Sequence, residues 1–450
     1  MSRDPLKETV LNDPAAHVQQ AMTLHGQGRL AEAIAHYEAA AELRPGDHGL
    51  RFNLGNLLLE LNRPGEALAA YDRAVALAPG YVAAHNNRAG ALLDLGRTEE
   101  ALAAYDRVLA LEPRLAPVIT NRGRVLYDLG RMDEALADHD RALALAPGDP
   151  TALWNKSLAL LAEGRLAEGF ALFEQRKAHG LGARDLGPEW RGGPVAGKTL
   201  FLHAEQGLGD TLQFARYAPL LAAEGAKVIL AAPETLHPVL RTLGGDVELI
   251  AEDAAPPAFD SHAPLMSLPV AFGTTLEKIP AETPYLHAAP EAVARWTQRF
   301  GPATGPRIGL AWSGRPSHAN DRRRSIPLER LAPLIGPGVD WVSLQKDVRP
   351  EDAAIRDVSG LISDFGDTAA LIDLMDLVIT VDTSVAHLAG ALGKPVWILL
   401  PFNADWRWLR DREDSPWYPS ARLFRQPAHG DWDSVIIAVK AGLEARFAQS

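Results

Sequence analysis

Apolar positions in the first third of the chain recur at helical spacing, in pairs of segments that repeat along the sequence. In each copy a short Gly-Arg or Asn-Arg turn separates two such segments, and a proline closes the second. Because proline cannot continue a helix, each copy is predicted to be a pair of helices. The closing prolines are spaced by 34 residues, at Pro45, Pro79, Pro113 and Pro147.

This period is typical of tetratricopeptide repeats. Four full repeats are predicted from about Pro14 to Pro150. A fifth starts at Thr151, has Gly169 where alanine is expected and lacks the closing proline, so it is interpreted as a cap that joins the next domain. Small residues and rings that recur in register are predicted to pack between the paired helices: Ala33, Ala67, Ala101 and Ala135, with Tyr37, Tyr71, Tyr105 and His139.

Asparagines also recur with this period, early in the first helix of successive repeats. They could form a ladder that binds the backbone of a protein partner in the inner groove of the array. Capping or turn chemistry within the helix pairs is the alternative. The four candidates are Asn53, Asn87, Asn121 and Asn155.

Glycines between Gly180 and Gly197 interrupt every regular period and indicate a hinge. Beyond it, apolar strands alternate with helical segments, which predicts a parallel, doubly wound sheet. Strands are predicted at 199–204, 227–232 and 247–251, with helices at 210–224 and 234–243. A second series of the same kind begins at Arg307, so two similar halves with a cleft between them are expected.

The second half contains an apolar strand at 377–381 that runs directly into Asp382, Thr383 and Ser384 and then into a helix. The first N–H groups of a helix have no partner within it, and its dipole attracts anions. Together with two hydroxyls, this turn is predicted to bind a phosphate of a nucleotide sugar. His387, one turn on, could meet the phosphate or lock the turn; a packed helical histidine is the alternative.

The first half has its own candidate turn, in which Gly207 and Gly209 precede the start of a helix at Asp210. The third glycine of a dinucleotide fingerprint is replaced by Leu212, so the turn is weak evidence for NAD. The glycines are interpreted as allowing close approach of a ligand to the backbone. For Asp210 the alternative is an acid that stabilises the helix dipole.

A cluster of arginines follows another strand of the second half, between Ser313 and Pro327. Ligands bind at the carboxyl ends of strands in this architecture, and arginine suits phosphate oxygens. Arg324 is therefore predicted to bind a diphosphate, in preference to a plain surface patch. Ser313 and Gln345, each at a strand end, complete the predicted donor-binding residues.

Residues from about Leu200 to Phe424 resemble the GT-B glycosyltransferases related to the bacterial heptosyltransferases, glycosyltransferase family 9. The repeats look like the tetratricopeptide arrays fused to protein glycosyltransferases, including those that modify flagellin. Two departures are Ser384, where the family has glycine, and a tail from Trp406 to Pro419 that is unusually rich in aromatic residues. The resemblance rests on Gly207-Leu208-Gly209-Asp210, Arg324-Ser325-Ile326-Pro327, Asp382-Thr383-Ser384 with His387, and Gly393-Lys394-Pro395.

The resemblance implies a role for each of these residues. Asp210 is similar to the general base that takes the proton of the acceptor hydroxyl, and Arg324 replaces a lysine at the diphosphate. Asp382 would contact the donor sugar or cap the helix. The implied domains are a repeat array at 1–180, a linker at 181–197, a Rossmann-like acceptor lobe at 198–300 and a Rossmann-like donor lobe at 301–450, closed by a C-terminal helix.

Composition narrows the functions further. The net charge is -12, so bulk charge gives no support for nucleic-acid binding. The chain has no cysteine, which excludes disulfides, thiol nucleophiles and cysteine metal sites. The acid pairs Asp138-His139-Asp140 and Asp431-Trp432-Asp433 do not resemble a metal site between strands, so none is expected there. Neither a signal peptide nor a membrane span is predicted, and a cytoplasmic location is expected.

The predicted function is a glycosyltransferase that moves a sugar from a nucleotide-sugar donor to an acceptor, without a metal or other cofactor and with inversion. The acceptor is expected to be a protein recruited by the repeats, with flagellin as one candidate. Two alternatives stay open: a non-catalytic scaffold that binds nucleotide sugars, and a lipopolysaccharide-type glycosyltransferase.

Overall fold

The computed structural model describes residues 13–303, 305–315, 321–350, 352 and 354–447. The chain divides into two compact units, Met1–Lys156 and Ser157–Ser450. The first is entirely helical in its described part, and the second contains two parallel β-sheets. A helical solenoid followed by an α/β region confirms the predicted fold class, and the second unit is consistent with a GT-B fold.

The repeats form the predicted helix pairs. A residue with positive φ ends the first helix of each pair: Gly28, Asn62, Gly96, Gly130 and Gly164, with φ between 56° and 76°. Glycine adopts this conformation at little cost, which explains the 34-residue recurrence. The helices are α1 (Pro14–Gly26), α2 (Leu30–Leu43), α3 (His48–Glu60), α4 (Pro64–Leu77), α5 (Val82–Asp94), α6 (Thr98–Leu111), α7 (Ala116–Asp128), α8 (Met132–Leu145), α9 (Pro150–Ala162) and α10 (Leu166–Phe173).

The small residues and rings form the core of the array, as predicted. All four recurring alanines are fully buried, and the tyrosines or the histidine that follow them are buried as well. Gly55 lies against the ring of Tyr71, where a Cβ atom would come within 2.5 Å of a ring carbon. Gly123 lies against His139 in the same way. These contacts are the knobs and holes that the periodic pattern indicates.

The first sheet of the second unit has four parallel strands in the order β3-β2-β1-β4. Its strands are β1 (Thr199–His203), β2 (Lys227–Ala232), β3 (Val247–Ala251) and β4 (Ser261–Pro264). The accompanying helices are α11 (Leu208–Phe214), α12 (Ala218–Ala223), α13 (His237–Leu240), α14 (Leu268–Ala271) and α15 (Pro290–Phe300). The predicted helix at 210–224 is interrupted by a 3-10 turn at Ala215–Tyr217, because Pro219 starts a new helix.

The second sheet has six parallel strands in the order β10-β9-β8-β5-β6-β7. They are β5 (Arg307–Ala311), β6 (Asp340–Ser343), β7 (Ile355–Arg356), β8 (Leu377–Val381), β9 (Val396–Leu400) and β10 (Ala421–Arg425). The helices are α16 (Asp321–Arg324), α17 (Leu328–Leu331), α18 (Phe365–Asp373), α19 (Ser384–Ala391) and α20 (Trp432–Phe447). Other 3-10 turns lie at Glu174–His179, Glu234–Leu236, Leu265–Ser267, Leu276–Lys278, Ala332–Leu334, Ser359–Leu361 and Trp406–Trp408.

The fifth repeat is divided between the two units, since the boundary falls within α9. Its second helix, α10, belongs to the second unit, where Phe170 and Phe173 contact Trp406 edge to face, at 5.5 and 6.0 Å between ring centroids. Arg176, which is fully buried, donates to both carboxylate oxygens of Glu205, at 3.0 and 2.6 Å. The domain boundaries at 180, 197 and 300 stay predictions.

Among the described residues, no helix has both the length and the apolar character to cross a membrane.

One buried ring of the array predicts sensitivity to acid. Burial lowers the pKa of His139 from 6.5 to about 4, and neither ring nitrogen has a hydrogen-bond partner among the described residues. The unfolded chain therefore binds a proton that the folded chain excludes, and stability falls as pH drops from about 6.5 towards 4. The loss at the acid end is about 3 kcal/mol.

Replacing the imidazole by a ring that does not titrate should remove this loss. Between pH 7.5 and pH 5, the thermal midpoint of His139→Phe should fall by fewer degrees than that of the wild type. Circular dichroism measures both midpoints. The exposed His25→Gln serves as the control and should follow the wild type. Equal acid sensitivity in wild type and His139→Phe would contradict the assignment.

Candidate functional site

The strand-to-helix turn after β8 has the geometry that its sequence predicts. Thr383 is the N-cap of α19, and its Oγ1 accepts from the N–H of Val385 at 3.3 Å. Ser384 is the first residue of the helix and is half-buried. The first turn of α19 thus places N–H groups and the Ser384 hydroxyl at the carboxyl end of a central strand, where an anion would bind.

Arg324, from the arginine cluster, lies at this turn. Its Nη1 donates to the carbonyl oxygen of Asp382 at 2.8 Å, and its Nε is 3.4 Å from Asp321. Burial, and then the neighbouring Asp405 carboxylate, raise the pKa of Asp382 to about 6. The turn therefore combines a fixed cation with a carboxyl group that protonates in weakly acidic solution.

Two further donor-binding candidates form a pair at the ends of neighbouring strands. Nε2 of Gln345 donates to Oγ of Ser313 at 2.7 Å, and Gln345 is buried. Because β5 and β6 are adjacent, the structure brings these two side chains together after their strands. Both side chains can form further hydrogen bonds, since a hydroxyl and an amide both donate and accept.

The turn of the first sheet, after β1, brings Asp210 to the start of α11. Its Oδ2 accepts from the N–H of Gly207 at 2.8 Å, so the carboxylate stabilises the helix start. This bond is the structural role that the sequence left open as the alternative. The second carboxylate oxygen, Oδ1, accepts from the guanidinium of Arg407, which belongs to the second sheet's lobe. Asp210 therefore lies where the two lobes meet.

The helices α11 and α19 pack against each other at a glycine. Gly209 faces the imidazole of His387, and a Cβ atom at Gly209 would come within 2.7 Å of the ring. Nδ1 of His387 is 3.0 Å from the hydroxyl of Tyr418, and the ring stacks on Trp408 at 5.2 Å. Burial, and then the positive charge of Arg407, lower the pKa of His387 well below its ordinary value. His387 is thus a neutral, packed histidine.

Arg407 is the residue at this site that sequence reasoning missed. It is 7% exposed, and its Nη1 donates to Asp405 at 2.8 Å while another guanidinium nitrogen donates to Asp210. Its guanidinium also lies over the ring of Trp406, at 4.4 Å from the centroid. The signal in the sequence was the dense aromatic tail, in which an arginine stands between two tryptophans.

In the first unit, the asparagine ladder is at least partly engaged within the array. Nδ2 of Asn87 donates to Oδ1 of Asn56 at 2.8 Å, and the hydroxyl of Tyr71 donates to the same oxygen at 2.7 Å. Like Asn87, the remaining candidates Asn53, Asn121 and Asn155 are half-buried. The structure thus places all four on the first helices of their repeats.

The residue after three of these asparagines is basic and pairs with the preceding repeat. The pairs are Arg88 with Asp72, Arg122 with Asp106 and Lys156 with Asp140, at 2.5 to 2.6 Å. Each pair joins residues 16 apart in sequence, and each set recurs every 34 residues. This ladder of ion pairs follows the repeat period and was also missed.

A cavity of about 530 Å³ lies at the carboxyl ends of β2 and β3. It is lined by Arg184, Pro233, Glu234, Glu252 and Asp253, and none of the predicted site residues lines it. An open, acidic hollow of this kind is a poor match for a diphosphate.

Comparison with known proteins bears on both units. Tetratricopeptide repeat models match residues 13–80, 52–116 and 120–179, and the glycosyltransferase family 9 (heptosyltransferase) model matches residues 358–399. FlbA of Caulobacter vibrioides is 31% identical over 291 residues, which cover 57% of this chain and 48% of FlbA. These matches support a fusion of tetratricopeptide repeats with a glycosyltransferase family 9 domain. The predicted combination is confirmed.

The matches cover only part of the chain, which limits the conclusions that they support. The family 9 match includes α18, β8, α19 and most of β9, and hence the Asp382 turn, but not Asp210, Arg324 or Arg407. The chain spans about half the length of FlbA, a curated relative that it matches. The domain match supports a glycosyltransferase and suggests a sugar donor, and the repeats suggest interaction with protein.

Similar solved structures include MamA, which is 20% identical with a TM-score of 0.34, covering 36% of this chain and 88% of that one. Another is YrrB, described as a tetratricopeptide repeat protein with an unusual peptide-binding site. It is 18% identical with a TM-score of 0.34, covering 38% of this chain and 90% of that one.

The close approach of α11 and α19 leads to a prediction about Gly209. A methyl group at this position would clash with the packed His387 ring, so Gly209→Ala should destabilise the fusion's second unit by about 1–3 kcal/mol. Chemical unfolding monitored by tryptophan fluorescence measures the effect. Gly244→Ala is the matched control, because a Cβ atom there meets no other atom within 4 Å. Equal stability of the two variants would show that the helices can separate at no cost.

Proposed function

We propose that the second unit transfers a sugar from a nucleotide-sugar donor to an acceptor hydroxyl, with inversion and without a metal ion. The observation that supports this most is the convergence of two turns from different sheets. Asp210 from the first lobe and the Asp382 turn from the second are joined through Gly209, His387 and Arg407. One lobe thus contributes a carboxylate and the other an anion-binding turn, as a two-lobed transferase requires.

In the proposed reaction the acceptor oxygen attacks the anomeric carbon from the face opposite the leaving group. The carboxylate of Asp210 takes the proton of the acceptor hydroxyl as the new carbon–oxygen bond forms. The bond from the anomeric carbon to the phosphate oxygen breaks, and its electron pair leaves with the nucleoside diphosphate. Because one displacement occurs, the configuration at the anomeric carbon inverts.

The charge that develops on the leaving diphosphate needs stabilisation on the donor side. Arg324, the N–H groups at the start of α19 and the hydroxyls of Thr383 and Ser384 would provide it. Ser313 and Gln345 would bind the nucleotide portion. These fixed dipoles and charges are proposed to do the work that a divalent cation performs in other transferases, so no metal is included in the mechanism.

The acceptor is proposed to be a protein that binds the tetratricopeptide array, and flagellin is a candidate. The half-buried asparagines Asn53, Asn87, Asn121 and Asn155 would contact its backbone. Support comes from the repeat architecture and from the recurrence of these amides on equivalent helices. The ion pairs beside them hold neighbouring repeats together, which would keep the amides in register.

Donor binding and turnover together test the proposed function. UDP, GDP, ADP and CMP are compared by thermal shift, since a ligand that binds only the folded state raises the midpoint. Nucleotide sugars of the base that binds are then assayed for sugar transfer in EDTA. Binding without any turnover would favour a scaffold, and a requirement for Mn²⁺ would contradict the metal-free mechanism.

The role of Asp210 as general base predicts the effect of a nearly isosteric change. Asp210→Asn should lower kcat by about a hundredfold to ten-thousandfold, because an amide cannot take the acceptor proton. Donor affinity, measured by calorimetry with the nucleoside diphosphate, should change by less than about threefold. Asp414→Asn, a change to an exposed carboxylate, is the control and should retain full activity. Substantial transfer by Asp210→Asn would remove this residue from catalysis.

The packing of α10 predicts which deletions of the repeat array leave the second unit folded. Deletion through Gly180 removes Phe170, Phe173 and Arg176, whose loss exposes Trp406 and leaves the buried Glu205 carboxylate without its arginine. This protein should be misfolded. Deletion through Gly148 keeps α9 and α10 whole, so it should still bind nucleotide and hydrolyse donor.

The same pair of deletions tests acceptor recruitment. If the repeats select the acceptor, the protein lacking residues 1–148 should lose transfer to its protein acceptor while it retains donor hydrolysis. Limited proteolysis and nucleotide thermal shift report on folding in both deletions. Unchanged transfer by the shorter deletion would remove the array from acceptor recognition, and a stably folded protein lacking residues 1–180 would contradict the role of α10.

A further inference from the structure

Arg407 is buried between carboxylates that come from different parts of the second unit. It lies in the 3-10 turn Trp406–Trp408, which follows β9, and it donates to Asp405 two residues earlier in the chain. Its other carboxylate partner, Asp210, is 197 residues away in sequence, on α11. Although burial opposes its charge, the carboxylates of Asp210 and then Asp405 raise the pKa of Arg407 above its ordinary value. The guanidinium is therefore a permanent cation at this site.

The two oxygens of Asp210 have different partners. Oδ2 accepts from the N–H of Gly207, which is part of its own turn, and Oδ1 accepts from Arg407. These two bonds hold the carboxylate from both sides.

We propose that Arg407 is a positioning residue that aims the Asp210 carboxylate at the acceptor hydroxyl. This inference rests on the proposed function of Asp210 as the base. Arg407 would act on the reaction only through Asp210. Its own position is fixed by Asp405, which binds the second arm of the guanidinium, and by the Trp406 ring beneath it. A planar fork held at both arms has little freedom, so it can fix a carboxylate where a lysine could not.

The groups around Arg407 also affect the protonation of Asp210, the proposed base. The charged and titratable groups that interact with Arg407 are Asp210 from α11, Asp382 and His387 from the β8–α19 segment, and Asp405. Two further cations, Arg216 and Arg324, act on His387, and Arg324 also acts on Asp382. Of these, only Asp210 and Asp405 form ion pairs with Arg407. Removing a cation from direct contact with a carboxylate raises the carboxylate's pKa, typically by about one to three units.

This pKa dependence distinguishes positioning from a merely structural role. In Arg407→Gln the acidic limb of the pH profile of kcat/KM should move to higher pH by about one unit or more. At neutral pH, kcat should fall about tenfold to a hundredfold, and KM for the donor should change less than about threefold. Arg407→Lys keeps the charge but not the fork, so it should restore the position of the limb while kcat stays below the wild-type value.

Arg412→Gln is the matched control. Arg412 lies five residues further on and pairs with Asp414 at 2.6 Å. Its loss should leave the acidic limb in place. If Arg407→Gln fails to fold, Arg407→Lys carries the test through its kcat. An acidic limb that stays in place in a folded Arg407→Gln protein, or wild-type kcat in Arg407→Lys, would overturn the proposal.

A stability cycle separates this inference from the proposed function, because it needs no activity. Thermal midpoints are measured for the wild type, Asp210→Asn, Arg407→Lys and the double variant. If the two residues are coupled, Arg407→Lys should lower the midpoint less in the Asp210→Asn background than in the wild type. Additive shifts would overturn the link between the residues. Coupling without any sugar transfer by the wild type would instead refute the proposed function, and with it the role of the pair in catalysis, while the physical link between the two residues would stand.

Discussion

The contact between α11 and α19 determines the geometry of the second unit's site. Each helix follows a central strand of a different parallel sheet, and each begins at a turn that carries polar side chains. Gly209 removes the side chain that would keep the helices apart, and the flat ring of His387 fills the space. Asp210 is one residue from this contact, and the Asp382 turn begins five residues before His387. The relative position of the Asp210 carboxylate and the Asp382 turn thus depends on the absence of a single methyl group.

The aromatic tail supports this contact from behind. Trp406, Trp408 and Tyr418 surround the buried polar groups of Arg407 and His387 with rings. These rings exclude water, and the lower dielectric constant strengthens the interactions between the buried charges. The same surface receives Phe170 and Phe173 from α10. The last helix of the repeat series is consequently part of the structure that supports the site, although its sequence belongs to the array.

The array is built on a different principle, in which each repeat contacts its neighbours through the same few residue types. Alanines and rings fill the core, and ion pairs such as Arg88 with Asp72 link one repeat to the next. His139 interrupts this regularity, because its ring nitrogens find no hydrogen-bond partner in the described part of the chain, and the three preceding repeats have tyrosine at this position. A repeat protein has only neighbour-to-neighbour interfaces, so one weak ring can limit the stability of the whole array.

Local patterns in the sequence were sufficient to predict the helix pairs, the parallel strands and the Asp382 turn. Periodicity, proline and glycine positions and capping residues act over a few residues, so they can be read without knowing the fold. The pairing of Asp210 with Arg407 and of Arg176 with Glu205 could not be predicted, because these partners are far apart in sequence and meet only when two sheets and a helix pack together. The division of the fifth repeat between the units was likewise decided by burial, since α10 covers aromatic surface that no periodic pattern reveals. The sequence by itself determined the elements and their order; the tertiary structure alone decided which charges face each other, because that depends on long-range packing.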